Sequence, residues 1–191
     1  MMVIVRHGRT AENAQGRLLG RTDAELDEVG RGQAMAIGHA LKPDVVVSSP
    51  LSRAMETAQC FGLPIEIDQR WIELDYGDWE RRAVGHVSLD EWDLWRSDID
   101  FAPPGGESLR SLGVRVREAC EEWSERAAQQ TIAIVTHVSP IKAAMCWALG
   151  VEDDVSWRMF VAQASMHWVD VAAGSPRLMR FNDVSHLESA P

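Results

Sequence analysis

Two histidines each close a short apolar run, and each stands among residues suited to an anion. His7 follows Val3-Ile4-Val5-Arg6 and precedes Gly8, while His137 follows Thr131-Ile132-Ala133-Ile134-Val135-Thr136. A histidine can attack phosphorus and hold the phosphoryl group covalently, dividing one difficult displacement into two easier ones. His7, with its arginine neighbour, is the expected nucleophile. Phosphoryl transfer spreads negative charge over three equatorial oxygens, so the site needs several fixed cations and backbone donors. Arg6 and Arg53 are the expected cations, because a guanidinium fork matches phosphate geometry. Arg53 lies in Ser48-Ser49-Pro50-Leu51-Ser52-Arg53-Ala54, which reads as a strand end followed by a helix start with proline in its first turn. After His137 and Val138, Ser139 is the expected cap of the next helix and Pro140 its first residue. That start would leave free backbone N–H groups turned toward a second phosphate contact.

Expelling an alkoxide also needs a proton donor. Glu73, in Trp71-Ile72-Glu73-Leu74-Asp75-Tyr76-Gly77-Asp78-Trp79-Glu80, is the best placed, since Trp71, Ile72 and Leu74 would desolvate its carboxyl group and raise its pKa. Asp75 and Asp78 remain open as alternatives.

The elements that must bring these residues together follow from hydrophobic patterning. Residues 3–5, 45–47 and 132–135 are short, β-branched and continuous, as expected of strands covered on both faces. Helical stripes alternate with them. Ala34, Ile37 and Leu41 form one; Leu109, Leu112, Val116, Cys120 and Trp123 another; Ile141, Ala144, Met145, Ala148 and Leu149 the clearest. This β/α alternation predicts a largely parallel sheet, and the carboxyl ends of its strands would gather both histidines and Arg53 in one crevice. Residues 166–171 and 177–181 flank an Ala-Gly-Ser-Pro turn and read as a hairpin. The tail, 182–191, has little apolar content and is expected to be loosely held.

The segment closed by Pro103-Pro104-Gly105-Gly106 is rich in Trp, Asp and Arg, and over residues 74–107 it reads as a lid. Trp92 and Trp95 at i,i+3 predict a short helix within it; a surface excursion packed by its own tryptophans is the alternative. Arg81, Arg82 and Arg96 read first as solvated cations and second as readers of another anionic group on the substrate. His39, His86, His167 and His186 read as structural, and Trp123 and Trp147 as core.

Composition bounds the remaining classes. With 191 residues and 46% hydrophobic content, one domain spanning 1–191 is expected. The 19 Lys and Arg against 29 Asp and Glu leave a net charge of -10, which argues against a nucleic-acid surface. Cys60, Cys120 and Cys146 are odd in number and lack metal-ligand spacing, so buried free thiols in a reducing, cytoplasmic setting are expected. No signal-peptide pattern and no membrane span is read from the sequence, so no membrane partner is expected. A homodimer contact through the lid tryptophans or the hairpin edge stays open.

Together these blocks resemble the histidine phosphatase superfamily, which includes the cofactor-dependent phosphoglycerate mutases. Arg6-His7-Gly8-Arg9-Thr10-Ala11-Glu12-Asn13 is similar to its N-terminal signature, and Gly20-Arg21-Thr22-Asp23 through Leu26, Gly30, Gln33 and Ala34 to the continuation. Residues 48–58 resemble the second arginine block, 73–80 the acid block, 104–108 the P-G-G-E-S segment and Thr136-His137 the second histidine block. The resemblance implies an α/β three-layer sandwich, its mixed and mainly parallel sheet covered by helices on both faces. It implies that His7 becomes phosphorylated, that Arg6, Arg53 and His137 hold the phosphoryl group, and that Glu73 moves the proton. Asn13, Leu19 and Gly20 would line the substrate pocket beside Val138, with no metal or organic cofactor.

Three departures stand out. Val138 occupies a position where many relatives have glycine, a strained choice if φ is positive there. Arg81 likewise replaces a common glycine, and Glu25 and Asp27 replace a frequent proline and threonine, with Asp27 still suited to cap a helix. The implied activity is phosphomonoester hydrolysis of a small phosphorylated metabolite. A phosphoglycerate mutase is the alternative, although Gly20-Arg21-Thr22-Asp23 lacks the tryptophan usual in the mutases. A noncatalytic phosphate-ligand binding protein is the third reading.

Overall fold

The computed structural model describes residues 1–188. In chain order its elements are β1 (Met2–Arg6), α1 (Ala11–Ala14), α2 (Glu28–Ala40), β2 (Val45–Ser48), α3 (Ser52–Ala58), β3 (Ile65–Ile67) and α4 (Leu89–Ser97). There follow α5 (Leu109–Ala127), β4 (Ile132–Thr136), α6 (Val138–Leu149), β5 (Met166–Asp170), β6 (Arg177–Asp183) and α7 (Ser185–Glu188). The strands form one sheet in the order β3-β2-β4-β1-β5-β6. The first four run parallel, and the β5–β6 hairpin joins antiparallel beside β1.

The unbroken apolar runs are explained by what covers them. Side chains alternate across a strand, so Ile4, Ile132 and Ile134 face a cluster with Leu112, Val116, Ile141, Ala144 and Met145 of α5 and α6. Val3, Val5, Ala133 and Val135 face Ile37, Leu41, Ala54 and Ala58, from α2, its end and α3. Both faces of the central strands are therefore dry, giving the three layers expected. Among the described residues no helix is long and apolar enough to cross a membrane.

Three features depart from the sequence reading. Strand β3 has only three residues, two of them exposed, and is too short and too polar at Glu66 to carry a period. Helix α6 begins at Val138, with His137 as its N-cap residue, so Ser139 and Pro140 are the second and third residues of its first turn rather than its cap and first residue. The expected loose tail is instead bound through residue 187. The Asn182 Oδ1 accepts from the Ala162 N–H at 2.6 Å, and the side chain of His186 is buried; residues 189–191 lie outside the described residues. Of the thiols, all free, Cys120 and Cys146 are buried but Cys60 is only half-buried. Asp27 does cap α2, accepting from the Gly30 N–H at 2.7 Å while also binding the Arg9 Nε.

Residues 74–107 wrap over the carboxyl end of the sheet as two 3-10 turns (Gly77–Trp79 and Val84–His86) followed by α4. Trp79, Trp92, Trp95 and Trp157 meet ring to ring at 5.0 to 6.2 Å, mostly edge to face. The backbone is also tied at both ends. Leu18 and residues 81–82 exchange two hydrogen bonds of 2.8 Å, and Asp78 and Glu107 donate to Pro104 and Asp75 at 2.9 Å. Gly77 closes this knot at φ +50, where an added Cβ would meet the Pro104 carbonyl oxygen. Gly77→Ala combines left-handed strain with a backbone clash, and is expected to destabilise the fold by about 3 kcal/mol, read from urea midpoints. Arg81 has φ +63, which explains why glycine suits that position.

Candidate active site

Strands β1 and β4 lie side by side in the register Arg6↔Thr136, so the residue after each strand emerges at the same edge. His7 N donates to the Thr136 carbonyl at 3.0 Å, and the His7 and His137 rings sit 5.0 Å apart, tilted by 60°. That separation is close to the roughly 4.8 Å between adjacent strands. The His7 Nδ1 is 2.6 Å from the Gly8 carbonyl oxygen. A carbonyl only accepts, which assigns the proton to Nδ1 and leaves the lone pair on Nε2. Burial, and then the charges of Arg53 and Arg6, hold the ring's pKa well below the usual histidine range.

Arg53, fully buried at the start of α3, spends each arm of its guanidinium on the site. Nη2 donates to the Gly20 carbonyl at 2.6 Å, Nη1 to that of Thr22 at 3.0 Å, and Nε to the His137 Nδ1 at 3.2 Å. Since arginine only donates, His137 must carry its proton on Nε2, which then donates to the Ser49 Oγ at 2.7 Å. Glu80 closes the 20–22 loop from the other side, its Oε1 accepting from the Gly20 and Thr22 N–H groups at 2.8 and 3.3 Å. At Gly20 a Cβ would meet the Leu74 carbonyl and the Glu80 carboxylate. Thr57, one turn after Arg53, donates to its carbonyl at 2.7 Å and accepts from the Gly8 N–H at 3.0 Å, tying α3 to the His7 turn. Arg6 donates to the Val161 carbonyl at 2.8 Å, while its Nε is buried without an acceptor. Burial pulls the Arg6 pKa down to about 10. An orphaned cationic donor beside a second buried arginine is a seat for an anion.

Glu73 is almost wholly buried. Its Oε1 accepts from the Leu74 and Ser139 N–H groups at 2.8 and 3.2 Å and its Oε2 from Val138 at 3.1 Å. The helix-start donors expected to face a phosphate are therefore turned onto this carboxyl group. Burial raises the Glu73 pKa, outweighing those hydrogen bonds and the charge of Arg53. Of its rivals, Asp78 is exposed and Asp75 is engaged with Gly77 N and Arg21.

Other expectations resolve as follows. Val138 has a right-handed backbone inside α6 and carries no strain. Leu19 is buried next to Gly20. Asn13 is half-buried and completes the capping box of α1 with Thr10. Ser49, Thr57 and Glu80 were not singled out as site residues. Their signals were the paired serines at a strand end, a threonine four residues after Arg53 on one helix face, and a second acid in the Glu73 block. Among the described residues no group of three or more His, Cys, Asp or Glu side chains is placed to hold a metal ion.

A fourth histidine, His167 on β5, is fully buried. Its Nδ1 accepts from the Asn182 N–H at 3.2 Å, and its Nε2 faces the Ser165 Oγ at 3.0 Å, so the ring is held neutral. Burial lowers its pKa from 6.5 to about 4. Below pH 6.5 the unfolded chain therefore binds a proton that the fold refuses, and stability falls as pH falls until the pH reaches the folded value. For His167 alone the loss between pH 8 and pH 5 is about 2 kcal/mol. His7 and His137 act in the same direction, while Glu73, with its raised pKa, acts in the opposite one. Urea midpoints at the two pH values are expected to show this drop, with a shallower one in His167→Asn.

The chain matches the sequence profile of the "Histidine phosphatase superfamily (branch 1)" over residues 2–184. It is 32% identical over 190 residues to a glucosyl-3-phosphoglycerate phosphatase of Mycolicibacterium vanbaalenii, covering 90% of this chain and 83% of the relative. It is 31% identical over 199 residues to phosphoserine phosphatase 1 of Hydrogenobacter thermophilus, covering 97% and 93%. In three dimensions it superposes, with a TM-score of 0.89, on a phosphoserine phosphatase mutant from Entamoeba histolytica in complex with phosphoserine. Identity there is 26%, and the match covers 97% of this chain and 98% of the other. The profile spans the whole sheet and both histidine-bearing strand ends, and the chain belongs to the histidine phosphatase superfamily, branch 1.

Proposed function

We propose that this protein is a phosphomonoester hydrolase working through a phosphohistidine at His7. The observation that carries the reading is the His7 tautomer: with Nδ1–H turned to the Gly8 carbonyl, the free lone pair lies on Nε2, in a buried site flanked by two arginines. In the first step Nε2 bonds to phosphorus as the ester P–O bond breaks, with Arg6 and Arg53 sharing the phosphoryl charge and His137 turning its Nε2–H from the Ser49 Oγ to a phosphoryl oxygen. The leaving oxygen takes its proton from Glu73. Of the backbone N–H groups, two bond to Glu73 Oε1 and one to Oε2, which favours Oε2 as the oxygen that carries the proton. In the second step water attacks the phosphohistidine, gives its proton to the Glu73 carboxylate, and inorganic phosphate leaves with His7 restored.

The relatives' substrates, glucosyl-3-phosphoglycerate and phosphoserine, support a small phosphorylated metabolite as the substrate class. The 74–107 segment serves as the lid over its alcohol part. Phosphorus NMR of the protein with a panel of phosphomonoesters, including 3-phosphoglycerate primed with its 2,3-bisphosphate, tests the reading. Inorganic phosphate is the expected product. A shift to 2-phosphoglycerate without phosphate release overturns hydrolysis in favour of the mutase, and a phosphorylated protein that does not turn over leaves only a binding role.

A further inference from the structure

A recess of about 170 Å³ opens between the 74–107 segment and α6. Val138 and Ser139, whose N–H groups hold Glu73, line it together with Tyr76, Trp92, Trp95, Trp157 and Lys142. Its hydrogen-bonding groups are one-sided. Lys142 is half-buried, its Nζ lies 5.9 Å from the Trp157 ring centre, and it has no hydrogen bond or ion pair among the described residues. The indole Nε1 atoms of Trp95 and Trp157 are buried without an acceptor. The carboxylate in the wall, Asp153, is already taken by Arg117 at 2.7 and 2.8 Å. One cation and two unpartnered indole N–H groups thus stand among aromatic rings beside the hydroxyls of Tyr76, Ser139 and Ser156, and the recess is the size of a cavity that holds a benzene ring, roughly 150 Å³.

We propose that this recess is the subsite for a carboxylate on the alcohol part of the phosphomonoester, with Lys142 as its counter-ion. The proposal rests on the phosphatase reading for the identity of the ligand, and on the recess alone for its charge and size. A single ammonium matches the single charge of a carboxylate better than the double charge of a second phosphate. The tryptophan walls exclude water and strengthen the pair. Lys142 is one turn of α6 beyond Val138, about 5–6 Å along the helix.

The test is binding to the His7→Ala protein, followed by tryptophan fluorescence. Two ligand pairs are compared: 3-phosphoglycerate with glycerol 3-phosphate, and 4-carboxyphenyl phosphate with phenyl phosphate. The carboxylated member of at least one pair is expected to bind about 10- to 100-fold more tightly. Adding Lys142→Met should bring that ratio to within about threefold of unity, and Lys142→Arg should restore it. Equal affinities within both pairs, failure of both carboxylated ligands to bind, or a Lys142→Met effect equal on both members overturns the subsite. Phosphate release by the protein with His7 intact is a separate readout. A Lys142-dependent preference without phosphate release sinks the phosphatase reading and leaves the subsite; phosphate release without the preference does the reverse.

Discussion

His7→Ala is expected to lower kcat at least about 10³-fold on every phosphomonoester that the protein hydrolyses, with KM changed by only a few fold. In the proposed mechanism the phosphoryl group is held chiefly by Arg6 and Arg53, whose own anchors are the Val161, Thr22 and Gly20 carbonyls and not His7. The nucleophile can thus be removed without emptying the anion seat. A rapid quench with substrate labelled in the phosphoryl group should trap an acid-labile adduct on the parent protein and none on the variant. Retention of activity in His7→Ala, with the melting temperature within a few degrees of the parent, would sink the phosphohistidine mechanism. The fold is expected to survive, because the backbone of residue 7 keeps its hydrogen bond to Thr136 whatever the side chain.

Glu73→Gln should show the other large effect, and one that depends on the leaving group. With an alkyl phosphate, whose alkoxide leaves poorly, kcat is expected to fall about 10²- to 10⁴-fold; with an aryl phosphate bearing a strongly acidic phenol the loss should stay below about tenfold. Equal losses on the two would show that Glu73 does not supply the proton. pH profiles give a second handle. Burial raises the Glu73 pKa, so the protonated acid persists to higher pH than an ordinary carboxyl group, and kcat falls as pH rises through that value. The lowered pKa of His7 keeps the nucleophile neutral, so the acid limb lies well below the usual histidine range. In Glu73→Gln the alkaline limb is expected to disappear on the alkyl ester. The amide also turns an N–H toward one of the three N–H groups that Glu73 accepts, which costs about 1–3 kcal/mol of stability.

The main strands and the two histidines were legible because they rest on one-dimensional signals. The runs at 3–5, 45–47 and 132–135 had to be apolar on both faces, and a residue that follows such a run must emerge at the sheet edge. Arg53 was legible for the same reason, from the serine-proline start of its helix. What stayed hidden depends on contacts between distant residues. Nothing local tells that the N–H groups of Val138 and Ser139 are spent on a carboxyl group 65 and 66 positions earlier in the chain. The cap of α6 was misplaced because serine followed by proline is a strong local start signal, overridden here by Glu73. Residues 182–187 read as loose because Leu187 packs on the apolar cluster without a periodic stripe around it, and the rest of the attachment is polar, through Asn182 to Ala162 and His167.

The register between β1 and β4 separates two kinds of variation. The spacing of His7 and His137 is set by backbone hydrogen bonds, the same for any side chain, whereas the alcohol-side recess is built from the side chains of the 74–107 segment, α6 and the turn carrying Trp157. Under the proposed function, exchanging Trp92 or Trp157 for another residue is expected to change which alcohol is accepted while the His7–His137 spacing stays the same. The sheet works as a calliper with one fixed jaw and a replaceable tip.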